Sequence, residues 1–92
     1  MIKVGVIGAG HLGKIHLKII NSSNQNLIGF YDTDETNSKK LSSEYGYKYY
    51  NDLDLLLKDI DAAIIVSPTT THFEISKKCI EAGKHEYLLK NH

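Results

Sequence analysis

The 92-residue chain has no arginine, one cysteine, one proline and no net charge. Eleven lysines balance eleven acids, and a dedicated nucleic-acid or anionic-membrane binder would carry a basic excess instead. The lone Cys79 can form no internal disulfide and gives no sign of an oxidising compartment. No apolar run approaches the roughly 20 residues of a membrane span. The strand-like start, residues 1–7, lacks the longer apolar core and cleavage site of a signal peptide. A soluble, cytoplasmic protein is therefore expected. No Pro/Gly-rich linker, internal repeat or low-complexity tract divides the chain. The five histidines (His11, His16, His72, His85, His92) show no metal-ligand spacing with carboxylates or Cys79, so no metal site is expected.

What is present is the composition of one small globular domain: 41% apolar and 24% charged residues. At this size folding buries only about 60–65% of the unfolded surface. Residues 2–7 (IKVGVI) read as a strand buried on both faces. His11–Asn21 carries a helical stripe of Leu12, Ile15, Ile19 and Ile20. Asn26–Tyr31 reads as a second strand, and Asp34–Tyr45 as a mostly polar helix stopped by Gly46. Tyr47–Tyr50 follows as a short aromatic strand, then a short helix at Leu53–Lys58 capped by Asn51 or Asp52. Asp61–Ser67 (DAAIIVS) is the clearest buried parallel strand.

Pro68 breaks that strand, and Thr71-His72-Phe73-Glu74 fits a capping box opening a helix that runs to Ala82, with Gly83 as its stop. His85–Lys90 is a fifth strand. The alternation predicts an α/β fold, a doubly wound parallel sheet of five strands in the order 3-2-1-4-5.

The sharpest motif is Gly8-Ala9-Gly10-His11-Leu12-Gly13, a G-x-G-x-x-G between the first strand and the first helix. Gly8 permits a tight turn, Gly10 lets the backbone approach a pyrophosphate, and Gly13 allows helix and strand to pack closely. The N–H groups and dipole of the helix start then face two phosphate charges. Asp32 lies nineteen residues beyond Gly13, at the end of the second strand. A carboxylate there can grip both adenosine-ribose hydroxyls. Alternatively Asp32 caps the next helix, a role also open to Thr33 and Asp34.

Facing the ribose, Asp32 would repel a 2′-phosphate. Like charges about 5 Å apart at an effective dielectric of about 20 cost about 3 kcal/mol, roughly a hundredfold in affinity. No arginine is available to clamp that phosphate, though Lys39 and Lys40 could soften the penalty. NAD is therefore expected in preference to NADP. Ser67-Pro68-Thr69-Thr70-Thr71-His72 follows the fourth strand, at the carboxyl edge where open α/β sheets bind ligands. It reads equally as a strand-to-helix turn with a threonine cap, and the two readings are compatible.

The segments GAGHLGKIH, the acidic end of the second strand, AAIIVSPTTTHFE and GKH together resemble the Gfo/Idh/MocA oxidoreductases, NAD(P)-dependent sugar and polyol dehydrogenases. The resemblance covers nearly the whole chain as that family's N-terminal, Rossmann-like half. It implies that Gly8, Ala9, Gly10, His11, Leu12 and Gly13 hold the pyrophosphate and Asp32 the adenosine ribose. It also implies that Ser67, Pro68, Thr69 and His72 line the nicotinamide side. His16 matches a histidine the family often has on its first helix, and reads equally as a half-buried helix-face residue. The family's catalytic lysine, within Glu-Lys-Pro after the fifth strand, falls on Lys90. Its flanks, Leu89 and Asn91, depart from that pattern, so Lys90 reads equally as a tail residue.

Residues 1–92 are thus expected to form one dinucleotide-binding domain without the family's substrate domain, binding NAD(H) but turning over nothing alone. The alternatives are a non-enzymatic nucleotide-sensing or interaction module, or a truncated gene product. An exposed fifth-strand edge would call for a partner chain or self-association, given the apolar Tyr87-Leu88-Leu89.

Overall fold

A computed structural model describes residues 2–8, 11–22, 26–66 and 69–88. The elements alternate as β1 (Lys3–Ile7), α1 (His11–Ser22), β2 (Asn26–Tyr31), α2 (Glu35–Tyr45), β3 (Tyr49–Tyr50), α3 (Leu53–Asp59), β4 (Ala62–Ile65), α4 (Thr69–Glu81) and β5 (His85–Leu88). The strands form one sheet ordered β3-β2-β1-β4-β5, with every neighbouring pair parallel. This is the predicted order.

Two apolar layers sandwich the sheet, because alternate strand residues point to opposite faces. On one face Val4, Val6 and Phe30 pack with Leu17 and Ile20 of α1 and Leu41 of α2. On the other, Ile7, Ala63 and Ile65 pack with Leu53, Leu56 and Leu57 of α3 and Cys79 of α4. Cys79, the chain's one cysteine, is fully buried. The two halves of the chain therefore wind in opposite senses from β1 and β4, which creates a switch point between those central strands.

Helix ends follow local chemistry. Asp34 caps α2, its carboxylate accepting the Asn37 N–H at 3.0 Å. Asp52 caps α3, accepting the Asp54 N–H at 2.9 Å. Gly46 (φ 76°) and Gly83 (φ 71°) end α2 and α4 in left-handed geometry, as their positions suggested.

Three elements differ from expectation. Helix α4 starts at Thr69, so Thr71 lies inside the first turn and is not the cap of a Thr71–Glu74 box. Thr69 and Thr70 enter the helix ahead of the box, so Thr71 is itself helical and cannot serve as the non-helical cap. β3 is two residues rather than four, because Tyr47 is buried under α2 and its carbonyl accepts the Ser42 hydroxyl at 2.5 Å. β4 is four residues, Ala62–Ile65, inside the expected Asp61–Ser67. β5 is described over His85–Leu88, within the expected His85–Lys90, and so is no departure; Leu89 and Lys90 lie outside the described residues.

Candidate functional site

Strand register brings the relevant backbone together. Ile7 pairs with Tyr31 on one side and Ile65 on the other, so β1, β2 and β4 finish level. Two further hydrogen bonds extend this edge: Gly8 N–H donates to the Tyr31 carbonyl at 2.7 Å, and Val66 N–H to the Ile7 carbonyl at 2.8 Å. Gly8, Asp32 and Val66 therefore follow directly on three adjacent strand ends.

Gly8 adopts φ 103°, a conformation that L side chains rarely take. The chain then reverses into α1, whose first turn carries no acidic residue. Gly13 sits on that turn, directly against Gly8. A Cβ built on Gly13 would lie 1.9 Å from the Gly8 carbonyl oxygen and 2.8 Å from its carbon. Only glycine lets the helix start approach the end of β1 this closely. The result is a helix N-terminus held against the end of β1 at the switch point, its positive dipole end facing no acidic residue of its own first turn. These features fit the diphosphate of a dinucleotide.

Asp32 is half-buried just past β2. One of its carboxylate oxygens accepts the Asp34 N–H at 2.8 Å, forming an Asx-type turn into α2. The capping alternative is thus corrected: Asp34 is the N-cap, and Asp32 shapes the turn before it. Its position at the carboxyl edge is compatible with ribose recognition.

One feature escaped the sequence reading. The Lys39 ammonium lies 3.0 Å from Glu35, one helical turn earlier, an ion pair that the sequence reading did not include. Hydrogen bonding and attraction to Glu35 raise the Lys39 pKa, opposed by slight desolvation. The Glu–Lys spacing of four on a helix was the available signal. Nearby, the Tyr49 phenol is pushed up first by burial, then by the charges of Glu35 and others including Asp32, while Lys39 pulls it down. These three charged groups consequently share one corner of the molecule.

The remaining assigned residues are only partly visible. Ala9, Gly10, Ser67, Pro68 and Lys90 lie outside the described residues. His11 and Leu12 are in the first turn of α1, and Thr69 and His72 in that of α4; their side chains lie outside the described set. His16 is half-buried on α1. Among the described residues, no group of three or more His, Cys, Asp or Glu could hold a metal ion, and no helix is long and apolar enough to cross a membrane.

A glycine turn feeding a helix start at the switch point of a parallel sheet defines a class, the dinucleotide-binding Rossmann domains. Residues 2–89 match the model of the Gfo/Idh/MocA oxidoreductase family, NAD-binding Rossmann fold, and the chain belongs to that family. Its cofactor class is accordingly a nicotinamide dinucleotide.

UDP-N-acetylglucosamine 3-dehydrogenase of Acidithiobacillus ferrooxidans is 35% identical over 83 residues, covering 90% of this chain and 26% of the relative. A solved structure of that enzyme has a TM-score of 0.88 at 32% identity, covering 95% of this chain and 28% of that one. Myo-inositol 2-dehydrogenase of Thermotoga maritima is 34% identical over 94 residues, covering 96% of this chain and 28% of the relative. The chain thus spans about a quarter of the length of the curated relatives it matches.

Proposed function

We propose that residues 1–92 act as one dinucleotide-binding unit, the NAD(H)-holding half of a sugar or polyol dehydrogenase. The observation that carries this reading is the Gly13–Gly8 contact, which aims α1 at the carboxyl edge beside Asp32. Gly8, Ala9, Gly10, His11, Leu12 and Gly13 hold the pyrophosphate through backbone N–H groups. Asp32 accepts the two adenosine-ribose hydroxyls and disfavours a 2′-phosphate, so NAD is preferred over NADP. Ser67, Pro68, Thr69 and His72 line the nicotinamide side. The bound nicotinamide supplies the hydride acceptor. Lys90 helps remove the proton of the hydroxyl being oxidised, and further groups outside these residues complete the substrate pocket. Support for this chemistry comes from the relatives, whose names give oxidation at a ring carbon of a sugar nucleotide and of inositol. We propose a cytoplasmic location, since a single cysteine that can form no internal disulfide is ordinary in a reducing compartment.

Thermal shift or NADH fluorescence tests the reading. Stabilisation by NAD(H), with a weaker response to NADP(H), is expected; no response to either at millimolar concentration sinks it.

The outer edge of β5 pairs with no other described strand. We propose that a partner chain or a second copy covers it. A mass that rises above the monomer with concentration in light scattering is expected, and a constant monomer mass counts against it.

A further inference from the structure

Asp32 is not the sole determinant of the choice between dinucleotides. We infer that Glu35 is a specificity-determining residue, which holds the Lys39 ammonium and so withholds it from a phosphate on the adenosine 2′-oxygen. The inference rests on the dinucleotide reading given above.

Three observations carry it. First, α2 begins at Glu35, only three residues after Asp32 at the end of β2, so its first turn borders the corner where Asp32 would meet the ribose. Second, long helical side chains run back toward the helix N-terminus, and Lys39 does so here, meeting Glu35 at 3.0 Å. Its ammonium therefore stands at that same first turn rather than over the middle of α2. Third, Tyr49 feels the charges of Asp32, Glu35 and Lys39 together, so all three act on one locality.

The chemistry of the choice follows. A 2′-phosphate approaching Asp32 needs a cation, and the chain has no arginine to supply one. Lys39 is the cation aimed at this corner, and Glu35 neutralises it. Glu35 thus acts by occupying the lysine, so its effect depends on Lys39 being present. Both side chains are more than 60% exposed, so the effect is modest and sensitive to salt.

The test is the ratio of the NADP to the NAD dissociation constant, measured on the 92-residue chain at low ionic strength. E35Q is expected to lower that ratio roughly three- to fivefold, a change of the size that exposed charge pairs produce. In a K39M background the same Glu35→Gln change is expected to produce little of this fall, because there is no lysine left to release. At roughly 0.5 M salt the fall in the single variant should largely vanish. An E35Q ratio equal to that of the wild type overturns the inference and leaves the dinucleotide reading intact. So does an undiminished fall in the K39M background. A wild-type chain that binds neither nucleotide overturns both.

Discussion

Gly13→Ala is expected to destabilise the domain by about 3 kcal/mol and to abolish dinucleotide binding. The new Cβ would lie 1.9 Å from a backbone carbonyl oxygen, a contact that no side-chain rotation can relieve. Either α1 must move away from β1, or Gly8 must leave the conformation in which its N–H meets Tyr31. Both routes redirect the helix start. A domain of this size has about 5–14 kcal/mol of total stability, so the loss is a large share of it. Thermal denaturation should register a fall of roughly 12–24 °C. A variant melting within a few degrees of the wild type, with its NAD affinity intact, would show that the close approach is not needed.

Asp32→Asn is expected to collapse the discrimination between NAD and NADP by roughly tenfold or more. Asparagine keeps a side-chain oxygen in place to accept the Asp34 N–H, so the turn into α2 survives. The change thus separates charge from shape. Losing a charged acceptor for two ribose hydroxyls weakens NAD, since hydrogen bonds to ionised groups are worth about 1.5–3 kcal/mol each. Losing the negative charge removes the repulsion that a 2′-phosphate would meet. Isothermal titration with both nucleotides measures the two effects separately, and an unchanged ratio would show that Asp32 does not meet the ribose.

The fold was legible to the degree that local chemistry and global arrangement agreed. The runs VGVI, NLIGFY and AAII are apolar on both faces, which only a covered parallel sheet accommodates. Asp52, Gly46 and Gly83 marked helix ends because capping is a local event. At α4 the local signal misled. Thr71-x-x-Glu74 matched a capping box, yet the helix already includes Thr69 and Thr70 ahead of it. Tyr47 looked like strand but is held in the apolar layer beneath α2, a tertiary demand that no window of sequence contains.

The carboxyl edge was similarly divided. The glycine spacing and Asp32 could be read directly, whereas the cap belongs to Asp34 and the lysine belongs to Glu35. Three acids within four positions offer equivalent chemistry, and only the path of the backbone distributes it among them. Ser38 is a further case. A polar residue on a polar helix reads as solvated, but the hydroxyl is fully buried with no hydrogen-bond partner among the described residues.

The central place of β1 governs how the molecule can be assembled. β1 is complete by residue 7, yet one of its two neighbours, β4, is not made until residue 65. Lys3 N–H reaches the Asp61 carboxylate across 58 residues of chain. Closing so long a loop has a large entropic cost before any contact repays it, and such non-local pairing slows folding. β1, α1 and β2 can form their βαβ unit early, leaving Ile7 with one strand edge bare. The glycine turn acquires its second wall only when β4 docks. A nascent chain would thus display half of the cleft well before it could close the other half.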